Sequence, residues 1–283
     1  MIRRRPSRWL FLLLASVAGL TAACADGPHY SFAVVGDLQQ PGDADYRAVS
    51  SLIVRQIAAS RARFVVLIGD LIYGVGPQKW EQFDRLVKPL RDAGQTLYAI
   101  PGNHDGESPE MAAGFAARFG DRHRVVQEAG VSLVLLDSEP LNQVVDWSLG
   151  DEQTAWLQSK PWQKPDGTKP LLFFFVHRPP YRSDYYRQRD PGQKYEPEKP
   201  EIGRLLTSLG ADAVFSGHEH LYAKRRQDGA VFYIAGGGGG TLLTGQHHYL
   251  LVTIYPDERR WKVKKIDVRT GKKVDYFVWP KED

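Results

Sequence analysis

Eight side chains of this sequence stand where α/β folds do chemistry, directly behind apolar runs that read as buried strands. Asp37 follows Phe32-Ala33-Val34-Val35-Gly36, Asp70 follows Val65-Val66-Leu67-Ile68-Gly69, and Asn103-His104-Asp105 follow Leu97-Tyr98-Ala99-Ile100-Pro101-Gly102. In the second half His177 closes the run 171–176, and His218 and His220 close 213–217. One Gly-Asp behind a strand is ordinarily a turn, because Gly supplies positive φ and Asp bonds its own backbone. One strand-end His is ordinarily structural. Three acidic or amide ends together with three histidines point instead to a metal site. Carboxylate, amide oxygen and imidazole suit Mn, Fe, Zn and similar ions, and with Cys24 the only cysteine no structural zinc site built on thiolates is expected. The donors are too many for one ion, so the set implies two ions with one carboxylate shared.

The elements that must position these groups alternate along the chain. The run at 65–68 has the signature of a parallel strand covered on both faces, whose carboxyl end opens into the ligand crevice. Val49, Leu52, Ile53 and Ile57 have helical spacing over 46–59, and Trp80, Phe83, Leu86, Val87 and Leu90 mark a second amphipathic helix closed by Gly94. Further helices are expected over 111–119, 152–158 and 202–209, and further strands over 131–137, 171–177 and from 213. Strand-helix-strand order argues for parallel pairing with right-handed crossovers. From 230 onward strands follow one another with short turns, which suggests an antiparallel section finishing a second sheet. The expected class is α/β, with two mixed β-sheets packed face to face between helical layers.

The start of the chain reads as a targeting segment. Arg3, Arg4, Arg5 and Arg8 precede an apolar run over 9–20 and the small residues Thr21-Ala22-Ala23-Cys24-Ala25. The run is shorter than the about 20 residues that span a bilayer. Residues 1–25 are therefore expected to be a signal peptide and 26–283 one domain, exported to the periplasm or secreted. Cys24 falls where a lipoprotein box is cut, which would leave a lipid anchor in a membrane; the alternative is cleavage after Ala25, which removes the thiol. The 37 Lys and Arg exceed the 33 Asp and Glu only through the four signal arginines. Without them the charges balance, so no nucleic-acid partner is expected. Nothing in the sequence fixes an oligomeric state.

Taken in order, Gly36-Asp37, Gly69-Asp70-Leu71-Ile72-Tyr73, Gly102-Asn103-His104-Asp105, His177 and Gly217-His218-Glu219-His220 resemble the motifs of the calcineurin-like metallophosphoesterase superfamily, and within it the purple acid phosphatase pattern. The resemblance implies a four-layer α-β-β-α sandwich. It implies one metal on Asp37, Asp70 and His220, a second on Asp70, Asn103, His177 and His218, and a bridge through Asp70. The implied activity is hydrolysis of phosphate monoesters by a metal-bound hydroxide, on a phosphorylated small molecule. Phosphodiester or nucleotide pyrophosphate hydrolysis is the alternative on the same centre. His104 resembles the family's proton donor to the leaving group, with Asp105 orienting its imidazole.

The first motif departs from the pattern, because Gln39 stands where many members of the superfamily carry His. Either Gln39 or Tyr73 would complete the first metal's shell. A Tyr73 phenolate favours Fe(III) beside a divalent Fe, Zn or Mn; a Gln39 oxygen favours two Mn or Mg ions. Directly after His177, the segment 178–200 brings Arg178, Tyr181 and Arg182 to the mouth of the site, as a substrate-selecting lid or as a solvated surface loop. The glycines at 236–240 lack the Gly-Lys-Ser/Thr of a phosphate loop and are expected to pass close to the metal rim.

Overall fold

A computed structural model describes residues 29–39, 44–139, 147–164, 166–194 and 197–268; residues 1–25, expected to be a signal peptide, lie outside them, and Cys24 with them. In chain order the elements are β1 (Tyr30–Val35), α1 (Ala44–Ala59), β2 (Ala62–Ile68), α2 (Pro77–Asp92), β3 (Thr96–Ile100), α3 (Pro109–Phe119), β4 (Arg124–Glu128) and β5 (Val131–Leu135). There follow α4 (Gly150–Gln158), β6 (Leu171–Phe175), α5 (Asp184–Arg189), α6 (Pro200–Ser208), β7 (Ala213–Ser216), β8 (Tyr222–Gln227), β9 (Ala230–Ala235), β10 (His248–Tyr255) and β11 (Arg260–Asp267). No helix among the described residues is long and apolar enough to cross a membrane.

The strands form two sheets, in the orders β11-β10-β1-β2-β3 and β4-β5-β6-β7-β9-β8. Three apolar layers explain why. Phe32, Val34, Phe64 and Val66 of one sheet meet Leu133, Phe173, Phe175 and Phe215 of the other in a buried central cluster. The alternate residues Ala33, Val35, Val65 and Leu67 pack outward on Ile53, Ile57, Phe83, Val87 and Phe115 of α1, α2 and α3. On the far side Val134, Phe174 and Val214 pack on Leu157, Ile202 and Leu206 of α4 and α6. Strands apolar on both faces need covering on both, and the outcome is the expected α-β-β-α sandwich. Within the centre, Phe32 and Phe64 stack at 4.6 Å between ring centroids, and Phe175 and Phe215 at 5.1 Å.

The expected helices and strands of the first two-thirds form, and the central strands of both sheets are parallel. The last third differs from expectation. Strand β9 runs parallel to β7, with β8 antiparallel on its outer edge. Strands β10 and β11 leave that sheet and return to the first, where β10 lies antiparallel to β1 and β11 antiparallel to β10. Alternation tells which residues of a strand face a core, and does not tell which sheet receives the strand.

Candidate metal centre

All the candidate residues lie at the carboxyl ends of parallel strands, beyond β1, β2, β3, β6 and β7. Backbone bonds lace these ends together: Asp37 N donates to Gly69 O at 3.0 Å, Gln39 N to Asp70 O at 2.9 Å, and Gly217 N to His177 O at 3.0 Å. Three of the residues occupy the left-handed backbone region that side chains rarely adopt, with φ of 60° at Asp37, 53° at Asp70 and 66° at His218. Such strain persists where the surroundings over-determine it and gathers at functional sites. Two motif glycines are required by close approach. A Cβ on Gly69 would lie 2.4 Å from His177 Nδ1, and one on Gly217 would lie 2.6 Å from Asp37 Oδ2. Each glycine thus makes room for another motif's candidate ligand.

The structure gathers two sets of donors, Asp70 with His177 and His218, and Asp37 with Asp70 and His220. Within each set the ligand atoms lie within 4.8 Å of one another. Asp70 belongs to both. Asn103 Oδ1 stands 2.9 Å from His218 Nδ1 and 3.3 Å from His177 Nε2, which adds it to the first set. His177 Nδ1 is 2.8 Å from Ile68 O and His220 Nδ1 is 2.8 Å from Thr241 O. A carbonyl only accepts, so both Nδ1 atoms carry hydrogen and both Nε2 atoms offer lone pairs to the cluster. His177 Nε2 then faces Asp70 Oδ1 at 3.4 Å, and His220 Nε2 faces Asp37 Oδ1 at 3.3 Å.

Lone pairs turned on carboxylates call for a positive charge between them. Burial opposes charging the His177 imidazole, yet Asp70 beside it pushes it up to about 10; burial likewise opposes His220, which Asp37 pushes up to about 9. Burial alone would raise the Asp70 carboxyl, but His177 and His104 hold it well below the usual carboxylate range. The carboxylates thus favour positive charge at these positions, which a bound cation would supply. Gln39 supplies an independent sign: it is 4 % exposed, its Oε1 is buried with no hydrogen-bond partner, and its Nε2 is 2.9 Å from His220 Nε2. A buried amide that touches His220 and whose own oxygen has no partner fits a bound ion nearby.

Several expectations need correcting. Tyr73 stands exposed, unlike the other expected ligands. The amides of Leu71 and Ile72 are tied to Asp105 Oδ1 at 2.8 and 3.2 Å, and the turn then delivers Tyr73 outward, 43 % exposed. Its ring instead covers that of His104, 5.0 Å between centroids. Asp105 does not orient the His104 imidazole. Its carboxylate is fully buried and accepts from Leu71, Ile72 and Gly102 amides, and burial together with Asp70 raises it to about 7. The imidazole is held by Glu107, whose Oε1 meets His104 Nδ1. Glu107 was legible only as an i, i+3 partner, had the helical turn Asn103–Gly106 been foreseen.

Arg178, Tyr181 and Arg182 make their contacts within the protein. Arg178 Nε donates to Glu139 at 2.9 and 3.1 Å, Tyr181 packs edge-on to Phe232, and Arg182 Nη1 donates to Asp190 Oδ2 at 3.1 Å beneath the Tyr186 ring. All three are buried. The segment is moored to the site by Glu219, which accepts from Ser183 N at 3.0 Å. The loop 236–240 does pass the rim, where Gly240 N donates to Asp37 O at 3.0 Å.

Residues 30–222 match the profile described as Calcineurin-like phosphoesterase. The chain belongs to that family. Purple acid phosphatase 18 of Arabidopsis thaliana is 27 % identical over 70 % of this chain and 45 % of its own length. Probable purple acid phosphatase 20 of the same plant is 31 % identical over 68 % of this chain and 46 % of its own length. The chain thus spans about half the length of these curated relatives. Among solved structures, purple acid phosphatase PPD1 from yellow lupin (Lupinus luteus) shares the fold with a TM-score of 0.68 at 17 % identity, covering 88 % of this chain and 53 % of that one. A dimetal phosphatase from Danio rerio does so with a TM-score of 0.62 at 15 % identity, covering 83 % of this chain and 95 % of that one.

Proposed function

We propose that this protein is an exported metal-dependent phosphoesterase that hydrolyses phosphate monoesters. The observation that carries the reading is the place of Asp70, whose carboxylate is common to both donor sets. Asp37, Asp70, His220 and Gln39 would hold one ion, and Asp70, Asn103, His177 and His218 the other. Two ions there would neutralise charge on phosphoryl oxygens and acidify water for attack on phosphorus. The chain's own residues do the rest. Glu107 takes His104 Nδ1, which leaves Nε2 to hold the proton that the departing oxygen needs. The Tyr73 ring shields one face of that imidazole. The relatives named as phosphatases support phosphate transfer to water, and no protein nucleophile is required. Export rests on residues 1–25, and sequencing the N terminus of the protein recovered from a host envelope tests it; an intact Met1 would sink it.

Asp70→Asn is expected to lower bound metal from two ions per chain toward one or none and to abolish turnover. Two tightly held ions in an active variant would refute the shared carboxylate. A panel of alkyl and aryl monoesters, cyclic nucleotides and diesters on the metal-loaded protein tests the substrate class; faster turnover of diesters would overturn the monoester reading.

A further inference from the structure

Among the described residues two large apolar side chains are exposed, Tyr73 at 43 % and Val75 at 56 %. Both stand on the short turn between β2 and α2, beyond the carboxyl end of β2 and so on the face of the sandwich that carries the metal centre. The start of the turn is fixed from beneath, where Asp105 takes the Leu71 and Ile72 amides. Gly74 and Gly76 supply its bends, with φ of 77° and 131°. That backbone asks for neither a ring at 73 nor a branched chain at 75, and turn chemistry favours small polar residues there. A single exposed apolar residue needs no explanation. Two on one turn, with no others exposed among the described residues, do.

The place of the Tyr73 ring suggests the reason. It lies 5.0 Å from the His104 ring, tilted by 44°, and much of it remains open to solvent. A hollow of about 20 Å³ beside it, walled by Leu38, Leu71, Phe83 and Leu86 among others, has room for about one water. A larger apolar group therefore finds space only on the open side of the ring. Resting on the phosphatase reading above, we propose that Tyr73 and Val75 seat the leaving group, and that the protein selects phosphate monoesters whose leaving group carries an aromatic ring. The departing oxygen must come within hydrogen-bond reach of His104 to take its proton. Its substituent then sits beside that imidazole, where Tyr73 stands. A flat ring in this place packs on Tyr73, reaches Val75 and removes apolar surface of both partners from water; a methyl group gains almost none of this.

The test titrates benzylphosphonate and methylphosphonate into the metal-loaded full chain by calorimetry. In both probes carbon replaces the bridging oxygen, so neither is hydrolysed. Benzylphosphonate is expected to bind about tenfold more tightly than methylphosphonate. Tyr73→Ala combined with Val75→Ser should bring the two affinities within about twofold of each other, whereas Tyr73→Phe, which keeps the ring, should keep the parent's ratio. Melting temperatures should match throughout, because both positions are exposed. Benzyl and methyl phosphate carry the comparison into turnover, since their alcohols are nearly equal in acidity: kcat/KM should favour the benzyl ester about tenfold in the parent and not in the double variant. Equal affinities in the parent, no saturable binding of benzylphosphonate at millimolar concentration, or a ratio that survives in the double variant would each overturn the proposal. So would equal phosphonate affinities together with self-association that the double variant loses, which would make the turn a contact between copies of the chain. Failure of the phosphatase reading is seen separately, as hydrolysis of neither ester whatever the phosphonates do.

Discussion

The backbone N–H of His218 donates to both carboxylate oxygens of Asp37, at 2.9 and 3.1 Å, although 181 residues separate the two. The bond crosses from the six-stranded sheet to the five-stranded one. It fixes Asp37 while leaving the oxygens' remaining lone pairs for the cluster, so the donor geometry is set by backbone as much as by side chains.

Gly217→Ala is expected to disturb metal binding more than folding. Its Cβ would sit 2.6 Å from Asp37 Oδ2 and 2.9 Å from Ile68 O. The crowding should cost about 1–3 kcal/mol, read from urea melts, and elemental analysis should show loss of bound metal. Full metal content with unchanged turnover would show that Asp37 can move aside.

His104→Ala should lose about 10²–10⁴ in rate on alkyl monoesters, the usual contribution of a general acid. With p-nitrophenyl phosphate, whose phenolate leaves unaided, the loss should be much smaller. Glu107→Gln should show a lesser loss with the same bias, because Glu107 holds the imidazole rather than the substrate. Losses of equal size on both substrates would count against both roles.

Gln39→Ala should weaken binding of one ion about tenfold or more, measured by competition with a chelating dye. Tyr73→Phe should leave metal content and visible spectrum unchanged, since its exposed ring lies against that of His104. A violet iron-loaded protein bleached by Tyr73→Phe would return Tyr73 to the shell.

His248 gives a pH dependence apart from the metal. Burial, with Lys265 and His247 nearby, pushes its imidazole from 6.5 down to about 3. The unfolded chain therefore binds a proton that the folded one refuses between those values. Its contribution is fully present above 6.5 and is lost as pH falls toward 3, at up to about 1.4 kcal/mol per pH unit. Urea melts at pH 7 and pH 4.5 should show a smaller acid loss in His248→Leu than in the parent; identical losses would exclude His248 as the source.

How much of this was legible in the sequence depended on the kind of signal. Asp37, Asp70, His177 and His218 were visible because a strand buried on both faces is an uninterrupted apolar run, and its end is unmistakable; Asn103 follows the edge strand β3, whose end is marked by Pro101-Gly102. Asp105 looked like a partner for its neighbour His104, but a buried carboxylate first satisfies nearby amides, and those of Leu71 and Ile72 lie 34 and 33 residues away. Arg178 and Arg182 read as lid cations because a sequence does not display Glu139 and Asp190 closing over them. The return of β10 to β1 was hidden for the same reason, as an alternating strand carries no address.

That return has a consequence for synthesis. The β1 strand emerges from the ribosome early, yet its free edge is covered only by β10, as in the contact of Ser31 with Thr253, 222 residues later. At about 5–20 residues per second, the apolar strand carrying Asp37 waits for tens of seconds with one edge open. An open edge of this kind is a template for wrong pairing, so chains stalled before residue 248 should pellet with aggregates while chains stalled beyond 268 stay dispersed. The catalytic half of the molecule is therefore vulnerable until its final strands arrive, and slow codons late in the message would lengthen that exposure.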